Sequence, residues 1–394
     1  MDFFEELNEK NRISTIINSI TDLPGNYVGS KRRLLSHIWS VLDENKVEFE
    51  SVFDAFSGGC MVSLLFKQMG KKVICNDLLS SSSLIAVSLL EHNNANIETD
   101  KWAISGGEGA SFVKDNYCNR FFTEKECSFL DNYISHVKNT YGPGIYVGKD
   151  INGNDKYVGG SSCKDKCKSA FSLFAMQNHI NQCCFLGGRY YSGQTLAKLD
   201  HRLQHDKNKN RQIFDIPLKL SDFYKVMSKG DVTVYNADAI ELLSQNKVKS
   251  DLIYIDPPYG GNSSDYVTLY SFLEEYLYGC KLNDMNHIQS GRKRFSKNKG
   301  YQEQFELFLS LCNPFKYWLL SYNESSYADL DTIINTIKRA GRSKIIVHEV
   351  PITYQYRAGK NIVKLSKVNG EIGFDPDAKR EYTQRGMEYL ILAR

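Results

Sequence analysis

The chain has 394 residues, is 42% hydrophobic and 24% charged, and carries a formal net charge of +3. Such a length suffices for two ordinary domains, and the composition is that of a globular protein rather than a disordered or fibrous one. No apolar run is long enough to span a bilayer, the N-terminal MDFFEELNEKNR is too charged for a secretory signal, and ten irregularly spaced cysteines read as reduced cytosolic thiols rather than a disulfide framework.

Short apolar runs, each ending in a small or polar residue, mark strands at 51–56 (SVFDAF), 71–77 (KKVICND), 231–238 (DVTVYNAD), 251–256 (DLIYID) and 317–323 (YWLLSYN). Helical patterns lie between them. Segments 343–357 (SKIIVHEVPITYQYR) and 387–394 (MEYLILAR) are expected to close the sheet as a late pair. Alternating strands and helices imply an α/β fold, a Rossmann-like and mostly parallel sheet with helices on both faces. The stretch 95–215 breaks this rhythm. It is rich in Gly, Cys, Tyr, Asn and Lys, and only pieces such as SAFSLFAM (169–176) look helical. It is read as an inserted smaller domain, leaving 1–94 and 216–394 as the main domain.

In such sheets ligands bind beyond the carboxyl ends of the strands. After the first strand, FDAFSGGCMVSLLF places Gly58 and Gly59 in a turn that permits close backbone approach. One strand later Asp77 stands at a tip, suited to gripping ribose hydroxyls and equally to capping the helix that follows. The dinucleotide fingerprint G-x-G-x-x-G and the Walker lysine are both absent, so the expected ligand is a nucleoside without a pyrophosphate. An adenosyl sulfonium compound fits that description.

The run SDLIYIDPPYGG ends a buried strand in Asp256-Pro257-Pro258-Tyr259. Two prolines stop the ladder and hold their predecessors extended, which leaves a rigid tip carrying a carboxylate, free carbonyls and a ring. Arg292, Lys293 and Arg294 begin a basic stretch that includes Lys297 and Lys299, and a weaker cluster follows Lys198. Within 187–203, Arg189, Tyr190, Gln194 and Lys198 offer groove donors among aromatics. Cys163-x-x-x-Cys167 and Cys183-Cys184 match no standard zinc spacing, so no metal is expected. None of the eight prolines precedes a cysteine, which argues against a covalent cysteine mechanism on cytosine carbon.

Together these elements resemble the Dam-like α-class of adenine-N6 DNA methyltransferases. NYVGSKRRLL (26–35) is similar to that class's N-terminal element, DAFSGGC (54–60) to its Gly-rich loop, NADAIELL (236–243) to the element that meets the donor's adenine, DPPY (256–259) to its catalytic tetrapeptide, and WLLSYNES (318–325) to a core strand. The resemblance implies S-adenosylmethionine as donor, bound by Tyr27, Lys31, Phe56, Ser57, Gly58, Gly59, Asp77, Asp238 and Ala239. It implies catalysis at Asp256, Pro257, Pro258 and Tyr259 on a flipped-out adenine. It places target recognition in the 95–215 insert, where Arg189, Tyr190, Gln194 and Lys198 would meet duplex DNA, and their charge assigns Arg292, Lys293 and Arg294 to the same DNA. A bacterial or phage-encoded enzyme of the cytoplasm is expected, either solitary or paired with a restriction endonuclease, and its oligomeric state stays open. The alternatives are an RNA or cytosine-N4 amino-methyltransferase, or a non-catalytic DNA-binding relative. Cys60 departs from the family's pattern, which has Gly there.

Overall fold

Period-two alternation builds the centre of the molecule. In β1 (Ser51–Asp54) and β6 (Leu252–Ile255), Val52, Leu252 and Tyr254 point into one core, while Phe53, Ile253 and Ile255 point into another across the sheet. Strands buried on both faces need helices on both sides. Helices Leu35–Glu44, Met61–Gln68, Ser80–Ala86, Glu124–Tyr141 and Lys166–Cys184 cover the first face through Ile38, Leu64, Leu84, Leu130 and Phe171. Helices Ala239–Ser244, Tyr301–Leu311 and Leu330–Arg339 cover the second through Ile240, Phe305 and Ile333. This computed structural model describes residues 3–24, 27, 29–91, 111–184, 221–228, 230–258, 265–292, 294–295, 300–324, 326, 328–357, 365–368, 371–374 and 381–394.

The remaining strands are β2 (Lys72–Asp77), β3 (Ile145–Lys149), β4 (Asp155–Val158), β5 (Val232–Asn236), β7 (Tyr317–Asn323), β8 (Ile345–Arg357), β9 (Leu365–Val368), β10 (Glu371–Phe374) and β11 (Glu381–Ala393). Of the eleven strands among the described residues, nine form one sheet in the order β4-β3-β5-β2-β1-β6-β7-β11-β8, and β9 and β10 pair separately. From β5 to β7 all neighbours are parallel. The expected late pair is present: β11 slots antiparallel between β7 and β8. The α/β sheet with helices on both faces is therefore the one anticipated from the alternation.

Two strands among the described residues of 95–215 were not anticipated. β3 runs parallel to β5 and pairs antiparallel with β4. Their connecting turn is tied by Asp150, whose Oδ1 accepts from the backbone N–H groups of Asn152 at 2.8 Å and Asn154 at 2.9 Å. An Asp that bonds its own downstream backbone is a turn signal, and IYVGKDINGNDKYV carries it. The helical reading of 169–176 holds within Lys166–Cys184. Val113, Leu130, Val147 and Phe171 belong to the same core as β1, so the described part of this stretch packs directly on the main sheet. No helix among the described residues is long and apolar enough to cross a membrane.

Candidate active site

The strand order reverses at β1, with β2 and then β5 laid down on one side and β6 and then β7 on the other, all parallel. A crevice opens at such a switch point, beyond the carboxyl ends of the strands. Here it is a cavity of about 570 Å³ lined by residues from the tips of β1 (Asp54, Phe56, Ser57), β2 (Asn76, Asp77), β5 (Ala237, Asp238) and β6 (Asp256, Pro258). Tyr27, Lys31, Gly58, Gly59 and Ala239 complete the set expected from the sequence, and Tyr266, Arg292 and Phe295 join it. Pro257 is buried beside the cavity.

Asn76 fastens the tips to one another. Its side-chain amide donates to the carbonyls of Ala55 and Ala237, and its oxygen accepts from Ala237 N–H. Asp77 then shapes the Gly-rich turn, accepting the Gly58 N–H at 2.8 Å on Oδ2 and the Leu79 N–H at 2.9 Å on Oδ1. The capping reading of Asp77 does not hold: it ties the turn ahead of helix Ser80–Ala86, whose first N–H groups, those of Ser80 and Ser81, are accepted by Glu274 instead. Burial lifts its carboxyl to about 6, against the pull of these backbone donors. Gly58 has φ +47, in the left-handed region, and both glycines lie under Tyr27. A Cβ at Gly58 would meet Tyr27 Cε1 at 2.9 Å, and one at Gly59 would meet Tyr27 Cβ at 3.0 Å. Tyr27 in turn stacks on Tyr270, with centroids 4.7 Å apart, and bonds Ser82 through its hydroxyl at 3.0 Å.

Asp238 begins helix Ala239–Ser244. Its Oδ1 accepts from the N–H groups of Ile240 and Glu241, both at 3.0 Å, as an N-cap should. Its Oδ2 pairs with Arg294 Nε at 2.9 Å, and Arg294 also reaches Glu241 at 2.8 Å. Burial raises the Asp238 pKa above the ordinary carboxylate value, with Arg294 pulling the other way. Arg292 crosses the cavity mouth to Asp265, its Nε at 3.1 Å from Oδ1, and to Thr268 at 2.7 Å. Two of the arginines that charge alone assigns to DNA are thus engaged with acids at the cavity.

At the tip of β6, Asp256 Oδ2 lies 2.9 Å from Lys31 Nζ, with the two side chains 16% and 8% exposed. Burial works against the Lys31 charge, yet Asp256 and Glu388 outweigh it and hold its pKa above the ordinary value. Glu388 comes from β11, where it accepts from Asn323 of β7 at 3.0 Å. Tyr266 reaches the same corner, close enough to Gly29 that a Cβ there would stand 2.3 Å from its hydroxyl. Glu388, Asn323, Tyr266 and Tyr270 are not flagged by the sequence reading. The Tyr266-x-x-x-Tyr270 spacing, one helical turn, is the only hint it offers. Tyr259, Lys293, Arg189, Tyr190, Gln194 and Lys198 lie outside the described residues.

A sheet that aims its switch point at a nucleoside-sized cavity, and walls that cavity with an Asp-Pro-Pro strand end, is the framework of an amino-group methyltransferase. In sequence the chain matches the D12 class of N6 adenine-specific DNA methyltransferases over residues 27–140 and 188–333, more than half its length, and it belongs to that family. The stretch left between the two matched segments holds β3, β4 and helix Lys166–Cys184. The chain is 28% identical to the Type II methyltransferase M2.HphI of Haemophilus parahaemolyticus, over 85% of this chain and 93% of that one. It is 25% identical to Modification methylase StsI of Streptococcus sanguinis, over 87% of this chain and 50% of the relative. It is 24% identical to the Type II methyltransferase M.FokI of Planomicrobium okeanokoites, over 84% of this chain and 48% of the relative. The match thus takes in about half the length of these last two relatives.

Proposed function

We propose that this chain moves a methyl group from S-adenosylmethionine to N6 of one adenine turned out of a short site in duplex DNA. The observation that carries this reading is the meeting of Asp256 and Pro258 with Asp77 and Asp238 around one cavity of about 570 Å³. That volume suits a nucleoside-sized ligand. Asp77 suits ribose hydroxyls, Asp238 suits a purine amine, and the Gly58-Gly59 turn lets backbone approach the ligand. When bound, the donor supplies a methyl group on a sulfonium. The chain's own task is to make the adenine amine nucleophilic and hold it in line. Asp256 accepts one amine hydrogen and the Pro257 carbonyl the other, which localises the nitrogen lone pair and stabilises the positive charge that develops there. Lys31 holds the Asp256 carboxylate in one orientation. Tyr259 offers a face for the base, which has to leave the duplex before N6 can be attacked.

Catalysis is assigned to 1–94 and 216–394, and target recognition to the 95–215 segment. Within it Arg189 and Gln194 suit guanine and adenine edges, Tyr190 suits base or sugar contact, and Lys198, like Lys293, suits phosphate. Because the relatives carry the names Type II methyltransferase and modification methylase, the chain is read as the modification half of a restriction–modification pair in the cytoplasm. Nucleoside mass spectrometry of duplex DNA incubated with the protein and methyl-labelled donor tests the reaction. N6-methyladenine is the expected labelled product. Label in N4- or C5-methylcytosine, or in RNA but not DNA, overturns the reading.

A further inference from the structure

We infer that Arg294, which sequence charge places on the DNA path, and its neighbour Phe295 instead form the purine-selecting end of the donor cavity. Arg294 acts there as the positioning residue for Asp238, and Phe295 as a wall. The inference rests on reading the cavity as a donor nucleoside site.

The lone pairs of Asp238 carry the argument. A carboxylate oxygen accepts about two hydrogen bonds. Oδ1 already takes the Ile240 and Glu241 N–H groups, both at 3.0 Å. Oδ2 lies 2.9 Å from Arg294 Nε in an ion pair and takes neither of these backbone N–H groups. It therefore keeps acceptor capacity toward the cavity, and Arg294 holds it in place. Such an acceptor matches an N–H of a 6-aminopurine. A 6-oxopurine would set an acceptor against an acceptor. The guanidinium is itself held a second time, by Glu241 at 2.8 Å, and its side chain is 26% exposed.

The neighbours converge on the same spot. Phe295 is 9% exposed and meets Phe56 edge to face, with centroids 5.4 Å apart at 89°. Phe308 braces it from behind at 6.1 Å. Gly291, at the end of helix Asn286–Arg292, is pressed so close that a Cβ would stand 3.3 Å from Asp238 Oδ2 and 2.7 Å from Leu78 Cδ1. The basic run thus begins by lining the cavity.

The test titrates the full-length protein with S-adenosyl-L-homocysteine and with its 6-oxo counterpart S-inosyl-L-homocysteine by calorimetry, and measures binding of a random duplex by fluorescence anisotropy. Wild type is expected to prefer the adenosyl compound by about tenfold or more. In Arg294→Gln the adenosyl affinity falls about tenfold and the preference shrinks to about threefold or less, while duplex affinity stays within about twofold. Phe295→Leu weakens both compounds alike. Arg294→Lys, which keeps the charge without the planar fork, recovers only part of the preference. Unchanged affinity and preference in Arg294→Gln, or lost duplex binding with intact nucleoside binding, overturns the inference. Failure of wild type to bind either compound overturns the donor-site reading beneath it.

Discussion

Lys31 and Asp256 form an ion pair at 2.9 Å, nearly closed off from solvent, between the N-terminal segment and the end of β6. A pair this buried is costly to break from one side, because the survivor keeps an uncompensated charge. Lys31 also feels Glu388. Lys31→Met and Asp256→Asn should therefore each destabilise the fold, and the double variant should be less damaged than the sum by about 1–3 kcal/mol. Urea unfolding of the four proteins checks this. Strict additivity would mean the two charges do not share a site.

On the proposed roles, the same geometry should separate chemistry from donor binding. Asp256→Ala should cut turnover by about 100-fold or more, since a preorganised acceptor is worth on the order of 3 kcal/mol. S-adenosyl-L-homocysteine affinity should change far less, because Asp77 and Asp238 lie on other strands. Single-turnover rates beside a binding titration make the comparison, and turnover within about threefold of wild type would remove Asp256 from the reaction.

Asp77, Asp238 and Asp256 are legible in the sequence because each stands at the end of a short apolar run, and a parallel sheet gathers such ends at one edge. The partners they meet there are not legible. Resemblance assigns Lys31 to the donor, while the fold also brings it to Asp256. Charge assigns Arg292 and Arg294 to DNA, while the fold sets them on Asp265 and Asp238. A run of basic residues records charge, not which acid lies across a cavity. Glu388 and Asn323 meet through the β7–β11 register, which no local pattern encodes. The β3–β4 hairpin was readable from its Asp-Ile-Asn-Gly turn, but Gly148 interrupts the apolar alternation.

Tyr27 explains why two glycines stand in the turn. At both glycines the atoms nearest an added Cβ belong to the Tyr27 side chain, from 3.0 Å at Gly59 and 2.9 Å at Gly58, but Gly58 also has φ +47. Gly59→Ala should destabilise by about 1–2 kcal/mol, and most of that should vanish in a Tyr27→Ala background. Gly58→Ala should keep a cost of about 1–2 kcal/mol in both backgrounds, because its backbone strain is independent of the ring. A double-mutant cycle by urea unfolding distinguishes them. Equal relief of both by Tyr27→Ala would contradict the strain at Gly58.

Three buried acids set opposing pH trends. Burial lifts Asp54 to about 7 despite the bond from Ser63, and lifts Glu274 to about 7 despite its bonds from Ser80 and Ser81. Both are raised above their unfolded values of 3.8 and 4.5, so the folded state binds more protons across that window. Stability should therefore fall as pH rises from about 4 to about 7, then level off. Asp54→Asn should flatten its share, on the order of 3 kcal/mol between pH 5 and 8. Donor binding should run the other way, weakening below about 6 as Asp77 takes up a proton. Urea unfolding and donor titration at matched pH values would show both trends, and a stability that rises toward pH 7 in wild type but not in Asp54→Asn would reverse the argument.

Cys60 stands where the family pattern has glycine, and its backbone shows the reason for that pattern. Its φ is +67, left-handed, directly before helix Met61–Gln68. A non-glycine residue there costs about 1–2 kcal/mol. The chain tolerates this because the thiol side chain is fully buried, packed in the core near Cys75. Cys60→Gly should therefore be close to neutral, since relief of strain offsets the lost packing. Cys60→Val should be severe, about 2 kcal/mol or more, because a β-branched residue fits the left-handed region worst. It should also weaken donor binding, as Cys60 lines the cavity. Thermal and urea unfolding with a parallel S-adenosyl-L-homocysteine titration would decide it. A valine variant as stable as wild type would show that the turn can abandon this conformation, and that the strain at Cys60 is not built into the site.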